Sequence, residues 1–559
     1  MNTTAITAKS KLFSDRSFSL TVLLLLFAAG LFMLMSPLLA LLSRSLFDNS
    51  NNFIGLDNFV EYAQSPELLN SFMTTMMIGF SVAAITVTLA FIVAYVIQRS
   101  CLPGKGLMKV VGLLPILAPS MLPAIGLIYL FGNQGILKPL IGDASIYGTT
   151  GIIIGLVVCC FPHALLLTQT GLRQIDGRLY EAARAMRTSA FKTFMTVTLP
   201  SAKFGIISAF ITVFTLSICD FGVAIIIGGK TSVLATDIYK LAIGMHNFGM
   251  SAVAAIALLV PALITFSVDA WLKRKVTNMG NSQATNAPTQ SLPLVHSFMG
   301  VVTWFVLAII LAIIAMPVYG SFVSFWPFNT TLTLNHYNLD AVSSYGFSPF
   351  FNSIQLAFCT AFFGTIVVFI GAYVSERSAG FKFLKALIGQ LVMLPLAVPG
   401  LVLGIGYVMF FSSPSNPFNG LYGAMALLVI CTIVHLYSVA HLMCVTSFKN
   451  MPVELEGAAA SLKISRPMLI LRVILPISLP VLIDIFVYLF VSAMITTSAV
   501  IFLYNSGNIP ASIAVLHLDE SGNMASAAAM SVFILLTACT VKLLGMWLAR
   551  VLQRRQLQA

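Results

Sequence analysis

An all-α, polytopic membrane protein of about 12 transmembrane helices is the fold this sequence predicts, and three observations predict it. Of 559 residues, 58% are hydrophobic and only 9% are charged, where a soluble domain carries about a quarter charged. Apolar runs of about 20 residues, the length a helix needs to cross hydrocarbon, recur along the whole chain. Lys and Arg gather in every second connection between those runs. A membrane barrel would instead show short alternating strands.

Taken in order, the first run extends from Ser17 to Leu42 behind Lys9, Lys11 and Arg16. It exceeds the roughly 7–15 apolar residues of a signal-peptide core, so it reads as a retained first span. Five more follow near 71–97, 107–131, 147–171, 204–228 and 250–272. A second six lie near 297–324, 352–374, 384–411, 420–446, 477–503 and 523–549. With the N-terminus in the cytoplasm, the inner segments hold all but five of the 30 Lys and Arg. The densest run is Arg173, Arg178, Arg184, Arg187, Lys192 and Lys203. Only Arg44, Lys138, Lys230 and Lys240 fall outside, and Lys542 lies within the last span. That split fixes the orientation, with both termini cytoplasmic. The net charge of +12 is therefore a topology signal, and nucleic acid drops out as a partner.

The eight cysteines show neither metal-ligand spacing nor a disulfide framework and read as small packing residues. The polar stretch NMGNSQATNAPTQSLP (278–293) reads as part of a flexible cytoplasmic linker, 273–296. It separates a first half, 1–272, from a second, 297–559. The halves repeat. Ala182, Ala183, Ser189, Val197, Leu199 and Pro200 match Ala458, Ala459, Ser465, Val473, Leu475 and Pro476, all at one constant offset. Pro115, Pro119 and Gly126 match Pro395, Pro399 and Gly406 at a slightly longer one, while LDNF (56–59) answers LNHY (334–337) at a value between the two. Six spans is an even number, so both copies face the same way and the repeat is parallel.

Between spans four and five of each half, loops 172–200 and 447–476 interrupt the apolar pattern on the cytoplasmic side. Gly177 to Arg187 favours a short helix, about 15 Å long, on which Ala182 and Ala183 leave a smooth face. Ser189 and Ser465 suit N-caps of a second short helix, with Pro467 in its first turn. There Phe191, Phe194 and Val197, and likewise Pro467, Ile470 and Val473, recur every three residues and should pack inward. Pro200 and Pro476 are expected to mark the turn into the next span.

These loops resemble the EAA loop of ABC-importer permeases, whose pattern is Glu-Ala-Ala, three residues, Gly, nine residues, then an aliphatic, any residue and Leu-Pro. Glu181-Ala182-Ala183 through Val197-Thr198-Leu199-Pro200 keeps that spacing. The resemblance spans essentially the whole chain as two fused permease halves. It implies that the first short helix of each loop docks in a groove of a cytoplasmic ATPase dimer, with an extracytoplasmic binding protein delivering substrate. It also implies a bacterial inner-membrane location. The chain itself would bind no cofactor and catalyse nothing, ATP and Mg belonging to the partner ATPase. The residues carried over are Glu181, Ala182, Ala183, Arg187, Leu199 and Pro200, with Glu456, Gly457, Ala458, Ala459, Lys463, Leu475 and Pro476 in the second copy.

Two departures matter. Arg187 and Lys463 stand where the family usually has Gly. Gly457 takes the Glu position and Glu456 precedes it; one residue turns a helical side chain by about 100°, so Glu456 should meet the ATPase on a different face. Glu181→Ala is therefore expected to reduce transport-linked ATP hydrolysis more than Glu456→Ala.

Within the family the chain looks most like the fused permeases for ferric ion and for 2-aminoethylphosphonate. CDFG (219–222) resembles the former. TTSAVIFLY (496–504) and ASIAVLHLDESGNMASAAAM (511–530) look closer to the latter, which is the preferred expectation. Asp220, toward the outer end of span five, is a candidate for the translocation path. A carboxylate at mid-span costs about 2.5–3.5 kcal/mol, though water or a neighbouring helix would also account for it. Pro162 and His163 are expected to break span four and are further candidates. Rival classes find little support. GGKTS (228–232) has no Gly six residues before Lys230, CDFG stands without other kinase elements, and no HExxH occurs among seven scattered histidines. The major facilitator fold shares two parallel six-span halves, but it has no Ala-Ala…Leu-Pro loop after its fourth spans.

Overall fold

The computed structural model describes residues 17–48, 52–277, 293–378, 380–452, 454–462 and 464–558. Lys9, Lys11, Arg16 and Lys463, and residues 278–292 of the linker, lie outside them. The first half runs α1 (Ser17–Arg44), α2 (Pro66–Arg99), α3 (Lys105–Leu117), α4 (Met121–Phe131), α5 (Thr149–Arg173), α6 (Gly177–Ala185), α7 (Ala190–Cys219), α8 (Gly222–Ile227), α9 (Leu234–Tyr239) and α10 (Phe248–Thr277). The second runs α11 (Pro293–Gly320), a hairpin of β1 (Val323–Phe325) and β2 (Asn329–Leu332), α12 (Ser348–Arg377), α13 (Lys382–Leu396), α14 (Gly400–Phe411), α15 (Met425–Lys449), α16 (Glu454–Ser461), α17 (Arg466–Ile495), α18 (Ala511–Glu520) and α19 (Met524–Gln558).

Among the described residues ten helices are long and apolar enough to cross a membrane singly, and twelve spans result if α3–α4 and α13–α14 each count as one. Those two pairs correct the straight spans expected at 107–131 and 384–411. They bend by 106° and 109°. The cause is the matched prolines: Pro115 and Pro395 sit in tight 3₁₀ turns, and Ala118 before Pro119 is forced into extended backbone. The expected span 204–228 also changes. Its helix begins at Ala190 and ends at Cys219, where Asp220 turns extended and its Oδ1 accepts the Val223 N–H at 2.8 Å, starting α8. In the second half α17 runs 466–495 rather than 477–503, and Thr496 takes the same extended conformation. Pro162 does not break span four. α5 continues through it, with Phe161 and Pro162 buried among neighbouring helices.

The chain packs as two compact units that cut across the two sequence halves. One comprises Met1–Ser43, Ser348–Ala511 and Leu536–Ala559; the other comprises Arg44–Phe347 and Ser512–Leu535. Each unit thus combines spans two to five of one half with the first span of the other. Small residues make the exchange possible. A Cβ on Gly126 of α4 would stand 2.0 Å from the Ile313 carbonyl oxygen of α11, within one unit. In the other, a Cβ on Gly406 of α14 would stand 2.9 Å from the Pro37 carbonyl oxygen of α1. The two glycines are repeat partners, and Pro37 and Ile313 are partners at the offset of the loops. Close backbone approach of this kind is how helices associate where burying apolar area brings no gain. Gly171 and Gly205 do the same between α5 and α7.

The repeat extends to hydrogen bonds outside the spans. Asn58 Nδ2 donates to the Ser45 carbonyl at 2.9 Å, and His336 Nε2 lies 2.9 Å from that of Val323. Asn58 and His336, like Ser45 and Val323, are separated by the offset that relates LDNF to LNHY. This is the physical content of one motif answering the other.

Candidate coupling site

The first candidate coupling arm, α6, starts where Asp176 Oδ1 accepts the Arg178 N–H at 3.0 Å, satisfying one of the free donors of the first turn. Gly177, Tyr180 and Ala183 form its buried face at a spacing of three. Glu181, Ala182 and Arg184 are exposed, so the Glu-Ala pair of the motif points away from the protein while Ala183 points into it. Tyr180 holds the arm. Its ring lies under the guanidinium of Arg99, whose Cζ is 3.8 Å from the ring centroid. Its hydroxyl shares a 3.0 Å hydrogen bond with Thr198 Oγ1 of α7.

The arm ends in a Schellman motif. The Thr188 N–H reaches the Ala183 carbonyl at 3.1 Å and the Arg187 N–H reaches that of Arg184 at 2.9 Å. This requires a left-handed residue, and Arg187 supplies it with φ of 50°. The bend that Gly makes in the family pattern is therefore kept by Arg, at a cost of about 1–2 kcal/mol. Thr188 Oγ1 braces it, at 3.0 Å from the Ala183 carbonyl and 2.8 Å from Thr193 Oγ1.

Ser189 then caps α7 as expected, accepting the Lys192 N–H at 3.3 Å. Ser465 holds the matching position, but its side chain makes no cap hydrogen bond. The inward stripe needs correcting. Phe191 and Pro467 are not buried, Phe191 being exposed, and Phe194, Val197, Ile470 and Val473 are at most half-buried; the buried residues are Thr193 and Thr198, and Leu469 and Ile474. Their spacing of five has a cause. Phe194–Thr198 and Ile470–Ile474 are π turns, whose wider winding shifts the buried face. The same turns correct the expectation at Pro200 and Pro476. Neither marks a turn, because the π winding absorbs the missing proline N–H and lets α7 and α17 run on into the membrane. Leu199, Pro200, Leu475 and Pro476 consequently lie on these spans, not on the arms.

The second arm, α16, carries Glu454 and Glu456 in its first turn, where acidic groups suit the helix dipole. Glu456 lies on a different face from Glu181, and that face is turned toward the second span of its own half. Its carboxylate lies 3.4 Å from Arg377 Nε at the end of α12, an ion pair without hydrogen-bond alignment. The same guanidinium donates to the Met451 carbonyl at 2.9 Å and the Pro452 carbonyl at 3.3 Å. Gly457 and Ala458 are exposed and Ala459 is buried. The Ile464 N–H reaches the Ala459 carbonyl at 2.9 Å, repeating the bond of Thr188 to Ala183.

Sequence reasoning missed two features of the arms. On the first arm Leu179 and Met186 are exposed, Met186 to 70%, and on the second Leu462, the repeat partner of Met186, is 72% exposed. Exposed apolar groups clustered on a short polar helix are what a partner groove takes. The other omission is the pair Arg99 and Arg377, repeat partners that each end the second span of their half. Elsewhere, Asp220, Pro162 and His163 are placed by α5, α7 and α8 in one unit. Asp220 is half-buried, with Oδ1 engaged by Val223, and His163 is half-buried on α5. Among the described residues no group of His, Cys, Asp and Glu is arranged to hold a metal ion.

Comparison with known proteins agrees with the doubled arms. The family model for the binding-protein-dependent transport system inner membrane component matches twice, at residues 103–278 and 367–558. A Haemophilus influenzae protein provisionally named as a ferric transport system permease is 25% identical over 89% of this chain and 79% of its own. The ferric transport system permease protein of Actinobacillus pleuropneumoniae is 23% identical over 97% and 80%. A Sinorhizobium fredii protein provisionally named as an ABC transporter permease is 23% identical over 93% and 94%. With two copies of the family domain, each carrying its own arm between the fourth and fifth spans, the chain belongs to the inner-membrane permease components of binding-protein-dependent ABC importers.

Proposed function

We propose that this chain is the permease of an ATP-driven importer of ferric ion. The observation that carries the substrate is the likeness, along nearly the full chain, to relatives named for ferric transport. CDFG (219–222) supports it from the sequence. The 2-aminoethylphosphonate reading rests on residues 496–504 and 511–530 alone. Those residues occupy the second-half counterpart of the α8–α9 region, and the relatives favour the ferric reading over it.

The mechanism is alternating access. A binding protein delivers substrate at the outer face, and two ATPase subunits close on ATP and Mg at the inner face. The exposed faces around Glu181, Ala182 and Met186, and around Gly457, Ala458 and Leu462, carry their motion into the spans. The population of inward- and outward-open states shifts because the ATPase binds the arms differently in its open and closed forms. Asp220 and His163 are the candidates for the path, whereas Pro162 is buried within α5. The termini are cytoplasmic, as the basic residues dictate. The test is reconstitution in liposomes with ATPase and binding protein, comparing uptake of ferric ion and 2-aminoethylphosphonate. ATP-dependent uptake of ferric ion alone is expected; uptake of the phosphonate alone would overturn the substrate assignment. Uptake driven by an ion gradient and indifferent to ATP would overturn the coupling.

A further inference from the structure

We propose that Arg99–Tyr180 and Arg377–Glu456 are two chemically different versions of one strut, which positions each coupling arm against the second span of its half. The inference rests on reading α6 and α16 as ATPase-docking arms. Tyr180 and Glu456 are separated by the same offset that relates the two loops, and Arg99 and Arg377 by the offset that relates LDNF to LNHY. All four therefore hold equivalent places in the repeat. In the first copy the guanidinium lies 3.8 Å from the centre of an aromatic ring. In the second it lies 3.4 Å from a carboxylate.

The strut is needed because the arms have few other holds. A helix of nine or eight residues does not persist on its own. The buried face of α6 is Gly177, Tyr180 and Ala183, so Tyr180 is its only large buried side chain. The described part of α16 buries Ala459, with Leu455 and Glu456 half-buried. Among the described residues, each arm is thus fixed largely through one residue that meets one arginine, joined in the first arm by the Tyr180 hydroxyl bond to Thr198. Both arginines end a helix that crosses the membrane, α2 from Pro66 to Arg99 and α12 from Ser348 to Arg377. A displacement of the arm by the ATPase has its shortest route into the spans there. The swap also explains the altered second motif: carboxylate and inward position coincide at Glu456, leaving Gly457 where the first arm has Glu181.

If the struts are equivalent, their chemistries are exchangeable. The experiment uses the full chain, reconstituted with ATPase and binding protein. It reads amide exchange over 177–186 and 454–462, capture of the ATPase, and ATP hydrolysis stimulated by iron-loaded binding protein. Tyr180→Ala should speed exchange in its arm about tenfold and lower stimulated hydrolysis about fivefold. Tyr180→Glu, which offers Arg99 the carboxylate that Arg377 has but gives up the hydroxyl bond to Thr198, should place both readings clearly between the alanine variant and the parent. In the second arm Glu456→Ala should loosen the helix as Tyr180→Ala does in the first, and Glu456→Tyr should recover part of the loss. Arg377→Glu should be rescued only in part by Glu456→Arg, because the Met451 and Pro452 carbonyls still lose their donor. If the exchanged residues do no better than alanine, or if alanine changes nothing, the proposal is overturned. Amide exchange needs no ATPase, so the strut is tested even if docking is elsewhere. Unimpaired capture by a Met186→Asp, Leu462→Asp double variant would contradict the docking reading alone.

Discussion

The two candidate coupling arms share a backbone plan and differ in what fastens it. Both end in a 6→1 hydrogen bond to the second motif alanine, Ala183 or Ala459, and both lead into a π turn five residues long. The first is held by a ring under Arg99 and a hydroxyl against Thr198, the second by a carboxylate beside Arg377. Thr198 has Ile474 as its partner in the repeat, so the second arm has no counterpart of the Tyr180 hydroxyl bond. The difference teaches that the motif specifies a position more than a set of contacts. Glu181 and Glu456 resemble each other in sequence, yet one is exposed and the other is paired with its own protein.

The comparison can be broken most strongly at the arginines. Arg377→Met leaves the half-buried Glu456 unpaired and two carbonyls without their donor, and should cost about 3 kcal/mol. Arg99→Met loses contact with the Tyr180 ring and strands no opposite charge, and should cost about 1 kcal/mol. Thermal denaturation of the two purified variants checks the order, and equal losses would count against the difference. Tyr180→Phe keeps the ring and removes the hydroxyl bond, at about 1 kcal/mol, seen as faster amide exchange in α6 with binding of Arg99 retained. Arg187→Gly should stabilise the chain by a little under about 1 kcal/mol, relieving a left-handed arginine against the added freedom of glycine in the unfolded chain. A raised denaturation midpoint is the expected reading. Gly457→Glu gives the smallest effect. Open space surrounds the missing Cβ, so the change should add about 0.5 kcal/mol of helix stability and leave the Arg377–Glu456 pair in place, measured as slower exchange in α16.

Much of the architecture was legible because it is local or repeated. Span number and the position of the arms follow from apolar length and the constant offset between the loops. The start of α6 and the Ser189 cap follow from side chains one turn away. What escaped is set by winding and by distant contacts. A stripe counted at three residues fails at Thr193 and Thr198 because the intervening turn is π-helical. Pro200 reads as a break until that turn is known to accommodate it. The bends in α3–α4 and α13–α14 were written in Pro115, Pro119, Pro395 and Pro399, but hydropathy averages over them. The exchange of first spans depends on Gly126 meeting Ile313 and Gly406 meeting Pro37, pairings no local window reaches. Arg99 and Arg377 did leave a signal, since they share the repeat offset; their value emerges only once Tyr180 and Glu456 are seen against them.

The central claim is that both arms face the ATPase through their motif positions while Tyr180 and Glu456 face inward. Site-specific photo-crosslinking in the assembled transporter tests it most directly, with a photoreactive residue placed singly at 180, 181, 456 and 457. The account predicts adducts to the ATPase from 181 and 457 and to the chain's own spans from 180 and 456. ATPase adducts from 180 or 456, or none from 181 and 457, would contradict it.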